Sequence, residues 1–407
     1  MTSDRRFVIV GGGLAAAGLA RALRAADFDG SLTLIGSEEH LPYERPPLSK
    51  EFLLGKKQLP DFTVEAAQWY RDHHVEVMRG TTVTGVDPAA KTVTLPDGST
   101  LPYDKLALAT GSSARWLPIA GADAPNVHTL RSIDDARTLS ELLERHARLA
   151  IIGAGWIGLE VAAAARTRGC EVTVVETAAQ PLIGSLGREM GTVFAELHRG
   201  HGVDLRLGVQ VSEITTDDDG VATGLSLADG ASAPAEAVLI AIGADPDLDL
   251  ARQAGLAIHS GVLVDAGLRT SDPDIVAVGD IAEQDHPSLG TRVRVEHWAN
   301  ALNQPEVAAA TMLGRDATYD RLPYFFTDQY DLGMEYTGFV APGADARVVV
   351  RGDVTSREFV AFWLDPANRV LAGMNVNVWD VTDRIKELIT AREPVDPDRL
   401  TDTSRPL

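Results

Sequence analysis

Gly11-Gly12-Gly13-Leu14-Ala15-Ala16 follows a short apolar run, Phe7–Val10, and precedes an alanine-rich segment that is typical of a helix. A second glycine-rich stretch, Gly153-Ala154-Gly155-Trp156-Ile157-Gly158, has the same setting after Leu149–Ile152. In a strand–loop–helix unit of this kind, the glycines let the backbone approach a pyrophosphate, and the helix N-terminus faces its negative charge. One such loop is weak evidence. Two in one chain predict binding of two dinucleotides, and the usual reason to hold two is electron transfer between them.

The second loop has all three glycines of the G-x-G-x-x-G pattern, and the strand after its helix ends near Glu176. A carboxylate at this position accepts hydrogen bonds from the ribose hydroxyls of adenosine and repels a 2′-phosphate. The second site is therefore predicted to prefer NAD to NADP.

The first loop has Ala16 in place of the third glycine. This change is tolerated because that position mainly sets the contact between helix and strand. Gly36 stands where the ribose-binding acid is expected, so the candidates for that role are Glu38 and Glu39, slightly downstream. Of these two we favour Glu38.

Composition limits the class of protein and its partners. The chain has 407 residues, 45% hydrophobic and 23% charged, which suggests an ordinary globular protein of roughly two or three domains. Its formal net charge of −21 disfavours nucleic acid or an anionic membrane as partner of the whole surface. The N-terminal residues contain no apolar signal core, and no apolar run reaches the length of about 18 residues needed to span a membrane. We therefore expect a cytoplasmic location.

The chain has one cysteine, Cys170, which we expect to be a buried packing residue. A single cysteine excludes a disulfide within the chain, a four-cysteine zinc site and an iron–sulfur cluster held by four cysteines. It also excludes the redox cysteine pair that disulfide reductases need. The histidines form no cluster with ligand spacing, so we expect no metal site. His73, His74, His198 and His201 are interpreted as surface residues.

The order of predicted elements indicates an α/β fold. Each glycine loop begins a βαβ unit, and each unit is followed by short alternating segments that are typical of a β-meander. The apolar run Ile275–Val278 predicts one more buried strand, which suggests that the chain returns to the first domain. The adjacent Pro46 and Pro47 favour an extended segment. From about Tyr319 the composition changes, with aromatic residues, further β-like segments and a terminal helix near 381–390.

Several stretches, in this order along the chain, carry a resemblance to a known family. They are 10–16, 41–50 with its Arg45-Pro46-Pro47-Leu48-Ser49-Lys50 block, 109–111, 153–160, 278–280, 296–298 and 323–329. In these stretches the chain resembles the bacterial FAD-dependent, NADH-using ferredoxin reductases that serve cytochrome P450 and Rieske oxygenase systems. These reductases are relatives of apoptosis-inducing factor. The proline-containing block is the most specific match, whereas many flavoproteins share the glycine loops.

The resemblance implies two Rossmann-like dinucleotide-binding domains of glutathione-reductase type and an α+β C-terminal domain. An FAD-binding domain would comprise residues 1–112 and 246–318, an NAD-binding domain residues 113–245, and the C-terminal domain residues 319–407. FAD would occupy the first loop and NADH the second.

The resemblance also implies roles for individual residues. Lys50, Glu160 and Trp156 would be the catalytic residues: Lys50 near the reactive flavin nitrogen and paired with Glu160, and Trp156 over the ring until nicotinamide displaces it. Glu296, His297 and Trp298 would begin a helix whose positive end faces the pyrimidine edge of the flavin. The full set of expected cofactor-binding residues is Gly11, Gly13, Leu14, Ala15, Ala16, Ser37, Glu38, Arg45, Lys50, Val83, Ala109, Thr110, Gly111, Arg131, Gly153, Gly155, Ile157, Gly158, Glu176, Gly243, Asp280, Glu296, His297 and Trp298.

The chain departs from the family pattern at a few positions. Ser37 stands where many members have aspartate, and Phe326 replaces a tryptophan common near the flavin. Gln180 and Gly184 stand where relatives commonly have arginines that hold the phosphates or adenine of NADH, so tight NADH binding is in question.

The sequence therefore predicts a reductase that takes hydride from NADH onto FAD and releases electrons singly to a [2Fe-2S] ferredoxin. Arg294, Arg384 and Lys386 are candidates for the docking surface. Two alternatives stay open: an NADH oxidase or quinone or nitro-compound reductase, and a non-catalytic interaction protein regulated by its nucleotides. The sequence does not distinguish monomer from homodimer, nor does it identify the ferredoxin or the oxygenase.

Overall fold

The computed structural model of the protein describes residues 4–407. The chain forms two compact units, each assembled from three separate segments. The first unit contains the chain up to Glu44, Leu59–Ser113 and Asp245–Phe325; the second contains Arg45–Gln58, Ala114–Ala244 and Phe326–Leu407.

A five-stranded parallel sheet is the centre of the first unit. Its strand order is Ile275–Ala277, Lys105–Leu108, Arg6–Val10, Ser31–Ile35 and Val75–Met78. The central strand is apolar from Phe7 to Val10 because both faces of the sheet are covered, and all four residues are at most 4% exposed. This arrangement confirms the return of the chain through a strand that begins at Ile275.

The remaining elements of the first unit are short, apart from two helices. The helices are Leu14–Ala25, Ala67–Asp72, Asp249–Gln253 and Trp298–Met312, with 3₁₀ turns at Leu59–Phe62 and Gly279–Ile281. Two three-stranded sheets contain Gly85–Asp87, Thr92–Thr94 and Thr100–Pro102, and Val262–Val264, Ala282–His286 and Thr291–Arg294. Helix Trp298–Met312 packs closely on helix Leu14–Ala25, where a Cβ added at Gly18 would lie 3.0 Å from Cγ of Pro305.

The second unit repeats the parallel sheet. Its strand order is Asp204–Leu207, Val172–Glu176, Leu149–Ile152, Ala237–Ile240 and Val127–His128. The helices of this part are Ile133–Glu144, Trp156–Thr167 and Ile183–Gly200, and the strands Val211–Thr216, Ala222–Leu227 and Ser232–Pro234 form an antiparallel sheet beside them. Two short strands, Ser112–Ala114 and Ala244–Pro246, contain the points at which the chain passes between the units.

The C-terminal part of the chain is an antiparallel sheet with helices. The strand order is Tyr324–Gln329, Leu332–Gly338, Val370–Val376, Glu358–Leu364 and Arg347–Asp353, and the helices are Thr382–Ala391 and Pro397–Thr401. The predicted fold class, two Rossmann-like domains followed by an α+β domain, is therefore confirmed. The predicted boundaries between the three domains stay a prediction. Within residues 4–407, no helix combines the length and apolarity that crossing a membrane would need.

Two local predictions were wrong. Pro46 and Pro47 are not extended; they begin a 3₁₀ turn, Pro46–Ser49, because proline's fixed φ and missing N–H suit the first positions of a helical turn. His198 is not a surface residue; it is fully buried, whereas His73, His74 and His201 are exposed. Cys170 is buried, as predicted.

Candidate functional site

The first glycine loop lies tightly against the end of the neighbouring strand. Gly11 has φ +139°, and a Cβ placed there would lie 2.0 Å from the carbonyl oxygen of Ala109. In contrast, a Cβ at Gly13 would meet nothing within 4 Å. The loop is therefore packed against protein on one side and open on the other, which fits a backbone that receives a phosphate group. Leu14, Ala15 and Ala16 follow it as the buried first turn of the helix.

The predicted ribose-binding acid lies beyond the second strand of this unit. Glu38 accepts a hydrogen bond from the Tyr43 hydroxyl, with 2.5 Å between Oη and Oε2. Ser37 is exposed and Val83 is buried. The Tyr43 hydroxyl thus helps to fix the Glu38 carboxylate, and the contact of Glu38 with ribose stays a prediction.

Asp280 lies in the 3₁₀ turn Gly279–Ile281, which follows the strand Ile275–Ala277. Its Oδ2 accepts a hydrogen bond of 3.0 Å from Ser112 Oγ. The segment Ala109–Gly111 ends the neighbouring strand, and Thr110 Oγ1 donates to the carbonyl oxygen of Asp247 at 2.8 Å. The carboxyl ends of parallel strands therefore present Asp280 and the Ala109–Gly111 segment at the same sheet edge as the first loop.

The helix that begins at Trp298 has His297 as its N-cap residue. The indole Nε1 of Trp298 donates to Glu44 Oε2 at 2.9 Å, which fixes the ring. Glu296 is exposed and forms an ion pair with Arg294. These contacts hold the first turn of the helix, and the positive end of the helix dipole there favours negative charge nearby.

His297 carries a polar atom that the protein leaves unsatisfied. Its Nδ1 is enclosed and has no hydrogen-bond partner within the described chain, while its ring lies 4.7 Å from that of Phe325. Because the nitrogen is enclosed, burial lowers the pKa of His297 to about 4, so the imidazole is neutral near pH 7. An unpartnered buried nitrogen beside a helix N-terminus fits a site for a polar heterocyclic group such as flavin.

The second glycine loop has the same close packing as the first. Gly153 has φ +103°, and a Cβ there would lie 2.5 Å from the Ala241 carbonyl oxygen. A Cβ at Gly158 would lie 2.2 Å from the carbonyl oxygen of Gly153. A cavity of about 420 Å³ opens beside this loop, with Gly153, Gly155, Glu176 and Gly243 in its lining. Ile157 is 40% exposed.

Glu176 ends the strand beside this cavity, and the backbone holds its carboxylate in place. Oε2 accepts from the Ala154 backbone N–H at 2.8 Å, and Oε1 accepts from the Ala178 N–H at 2.8 Å. The carboxylate is thus preorganised at the wall of a cavity whose size suits a nucleotide, as the predicted adenosine site requires.

Replacing Glu176 with alanine should narrow the preference for NADH over NADPH by about tenfold, because the group that repels a 2′-phosphate is lost. The ratio of kcat/KM for the two nucleotides measures this effect. Glu171→Ala is the matched control, since that exposed glutamate lies just before the same strand. An unchanged ratio in Glu176→Ala would remove this residue from nucleotide selection.

Lys50 and Glu160 form a buried ion pair in the second unit. Their Nζ and Oε2 atoms are 2.8 Å apart, and the residues are 8% and 5% exposed. Lys50 follows the 3₁₀ turn Pro46–Ser49, while Glu160 lies in the helix that starts at the second glycine loop. The predicted contact between the two side chains is present, and their catalytic role stays a prediction.

Further groups complete the surroundings of this ion pair. Ser49 Oγ donates to Oε2 of Glu160, and Thr327 Oγ1 donates to Oε1 at 2.6 Å. Lys50 Nζ also donates to the Pro46 carbonyl at 3.3 Å and lies 5.7 Å from the centre of the Phe326 ring. Phe326 thus supplies an aromatic face to the lysine.

The other predicted residues of the second unit have structural partners. The Trp156 ring packs edge-on against Phe194, with centroids 5.7 Å apart. The Arg45 guanidinium donates to the Arg131 carbonyl, and the Arg131 N–H donates to Asp135 Oδ2 at 2.9 Å. Arg45 thereby ties the proline-containing turn to the start of helix Ile133–Glu144.

Comparisons with known proteins agree with this geometry. Residues 5–304 match the family described as pyridine nucleotide-disulphide oxidoreductase, and residues 324–407 match the reductase C-terminal family. The chain belongs to the pyridine nucleotide-disulphide oxidoreductase family. The cofactors are FAD and NAD(H), as the family resemblance implied.

Several relatives of this family member are ferredoxin reductases. It is 41% identical to the ferredoxin–NAD⁺ reductase component of the anthranilate 1,2-dioxygenase system of Burkholderia cepacia, covering 97% of each chain. It is 38% identical to putidaredoxin reductase of Pseudomonas putida, covering 100% of this chain and 97% of the relative. The solved covalent complex of putidaredoxin reductase with putidaredoxin superposes with a TM-score of 0.95 at 36% identity, covering 99% and 97% of the two chains.

Sequence reasoning missed four side chains of this oxidoreductase: Ser49, Thr327, Gln329 and His198. The first three lie inside stretches that carry the family resemblance, but nothing in the pattern assigned them contacts. His198 had a detectable signal, because it repeats at helical spacing after Met190 and Phe194, on the buried face of helix Ile183–Gly200.

The basic residues suggested for docking all have acidic partners. Arg384 pairs with Glu387 at 2.7 Å, and Lys386 pairs with Asp383 at 2.9 Å, all on the exposed face of helix Thr382–Ala391. Arg294 pairs with Glu296 in the first unit. Their part in docking stays a prediction.

Proposed function

We propose that this oxidoreductase takes hydride from NADH onto bound FAD and passes electrons singly to a [2Fe-2S] ferredoxin that serves a P450 or Rieske oxygenase. The full-length likeness to ferredoxin reductases of such systems carries the proposal. The isolated, buried Cys170 adds support. With no cysteine pair in the sequence, electrons leave for an external acceptor without a dithiol intermediate.

FAD, when bound, supplies the chemistry by which two electrons that arrive together as hydride are released one at a time. The chain's own residues bind and orient the nucleotides. Gly11 and Gly13 admit one pyrophosphate to the backbone, Gly153 and Gly155 admit the other, and Glu176 selects the unphosphorylated ribose.

Electrostatic groups of the protein would stabilise the charge that hydride transfer creates. The N-terminus at His297 and Trp298 offers N–H groups to an anionic ring edge, and the neutral His297 adds no charge of its own. Lys50 supplies a fixed buried cation whose position Glu160 sets. Trp156 would cover the reacting face until nicotinamide takes its place.

Further proposals concern the domain boundaries, the location and the docking surface. We propose the three-domain division at residues 112/113, 245/246 and 318/319, a cytoplasmic location, and docking of the ferredoxin with help from Arg294, Arg384 and Lys386. Either a monomer or a homodimer is compatible with these proposals.

Anaerobic stopped-flow mixing of the FAD-loaded protein with NADH or NADPH, followed by a [2Fe-2S] ferredoxin, tests the function. We expect NADH to bleach the flavin rapidly, NADPH to do so more slowly, and reduced protein to deliver electrons to the ferredoxin. Fast bleaching without delivery would favour an oxidase or small-molecule reductase. Slow bleaching by both nucleotides, together with a change of oligomeric state, would favour the nucleotide-regulated interaction protein.

A further inference from the structure

A chain of buried hydrogen bonds connects helix Ile183–Gly200 to the carboxylate of Glu160. His198 Nε2 lies 2.8 Å from Gln329 Oε1, and Gln329 Nε2 lies 3.2 Å from Thr327 Oγ1. Thr327 Oγ1 in turn lies 2.6 Å from Glu160 Oε1. The three linking residues are 0–1% exposed, so water does not compete for their hydrogen bonds.

The ion pair determines the direction of this chain. The Glu160 carboxylate accepts from Lys50 in the ion pair and from Ser49, so Thr327 likewise donates its single hydroxyl hydrogen to it. The Thr327 oxygen then accepts from the amide nitrogen of Gln329. This orientation leaves Gln329 Oε1 as an acceptor, which requires a hydrogen on Nε2 of His198.

The opposite direction fails on a count of hydrogens. If His198 accepted at Nε2, the Gln329 amide would be reversed and would present its oxygen to Thr327. The hydroxyl would then face two acceptors, Gln329 and Glu160, with one hydrogen to give, and one short contact would be repulsive.

The state of His198 agrees with the forward direction. Burial lowers its pKa to about 4, and the nearby His201 acts in the same sense, so the ring is neutral at pH 7. Its Nδ1 lies 3.5 Å from the Tyr330 hydroxyl, which can donate to it. A neutral imidazole with hydrogen on Nε2 both accepts from Tyr330 and donates to Gln329.

We propose that His198, Gln329 and Thr327 are positioning residues that hold the Glu160 carboxylate, and through it Lys50, in the geometry for flavin reduction. This inference rests on the proposed role of the Lys50–Glu160 pair. The chain orients the carboxylate without relaying a proton, because the carboxamide of Gln329 does not exchange its hydrogens as an acid or base. Aligned donors strengthen one another and hold the acceptor in one orientation.

Thr327→Val tests the hydrogen-bond chain because it removes the hydroxyl group and keeps the shape of the side chain. We expect the limiting rate of flavin reduction to fall about tenfold, with the dissociation constant for NADH changed less than twofold. Thr327→Ser should restore the rate. Thr337→Val is the matched control: it changes a threonine of equal burial in the adjacent strand Leu332–Gly338, outside the chain, and should leave both constants unchanged. Equal rates in Thr327→Val and Thr337→Val would overturn the proposal.

A second measurement tests the direction of the hydrogen-bond chain without catalytic turnover. Nitrogen-15 NMR of histidine-labelled holoenzyme should show His198 as the neutral Nε2–H tautomer from pH 5.5 to 8.5. The signal is assigned by its loss in His198→Gln or, where that variant does not fold, by cross-peaks to the Gln329 side chain. An Nδ1–H tautomer would overturn the proposed direction. Unchanged flavin reduction in Lys50→Met would instead refute the role of the ion pair and leave the tautomer result intact.

Discussion

Lys50→Met should slow the reduction of FAD by NADH about a hundredfold, measured as the limiting rate in anaerobic stopped flow. The substitution removes the fixed cation while keeping the length of the side chain. It also leaves Glu160 as a buried carboxylate without a counter-ion, still bound by Ser49 and Thr327. Both effects disturb the reacting geometry, so we expect the rate to fall more than the affinity for NADH.

The same substitution should destabilise the protein by about 3–5 kcal/mol, since breaking a buried ion pair leaves one charge uncompensated. Lys50→Met/Glu160→Leu should recover part of that stability, because an apolar pair replaces the lone charge. Chemical unfolding of the three proteins measures these differences. Recovery of stability without recovery of rate would separate the structural contribution of the pair from its catalytic one.

Lys57→Met is the control for the removal of a lysine from a salt bridge. Lys57 pairs with Glu51 at 3.0 Å, but its side chain is 42% exposed, so its loss should change stability by less than about 1 kcal/mol. Its flavin reduction should match that of the unmodified protein. Equal rates for Lys50→Met and Lys57→Met would remove Lys50 from the mechanism.

Gly11→Ala should abolish FAD retention and destabilise the protein by at least about 3 kcal/mol. The added methyl group would lie 2.0 Å from the Ala109 carbonyl oxygen, in a backbone conformation of φ +139° that side chains disfavour. Neither the loop nor the sheet edge can accommodate it without moving. Flavin content after purification and the midpoint of thermal unfolding measure the two effects.

Gly13→Ala separates an effect on FAD binding from an effect on protein stability. A Cβ at Gly13 meets no protein atom within 4 Å, so the stability of the apoprotein should stay unchanged. The methyl group would nevertheless occupy the open side of the loop, and we expect the affinity for FAD to fall about a hundredfold. Gly184→Ala is a control with similar free space outside this loop. Normal FAD affinity in Gly13→Ala would mean that the pyrophosphate does not approach there.

Local sequence was sufficient to predict the two parallel-sheet halves. A buried parallel strand is apolar along its whole length, and the glycine loop between such a strand and a helix occurs twice in this chain. Leu149–Ile152 is a strand with the predicted bounds, and Glu176 ends the next one. Several other element boundaries differed by one or two residues, because helix and strand ends depend on hydrogen bonds that periodicity does not specify.

Contacts between distant segments could not be predicted from local pattern. Lys50 and Glu160 are separated by 110 positions, and only the family resemblance suggested that they meet. Thr327 reaches the same carboxylate from the C-terminal sheet, and Gln329 donates in turn to the Thr327 hydroxyl. His198 was interpreted as a surface residue because the histidines show no ligand spacing or partner cluster; in the structure it is fully buried, with Nε2 2.8 Å from Gln329 Oε1.

The sequence by itself predicted two dinucleotide loops and a preference for NAD at Glu176, and it established the absence of a redox cysteine pair. These properties depend on which residue types lie close together in the sequence, where local backbone geometry allows few conformations. The tertiary structure alone decided which polar groups are buried together: Lys50, Glu160, Ser49, Thr327, Gln329 and His198. A buried polar group must find its partner wherever the fold brings one, and the fold brings these from four separate segments.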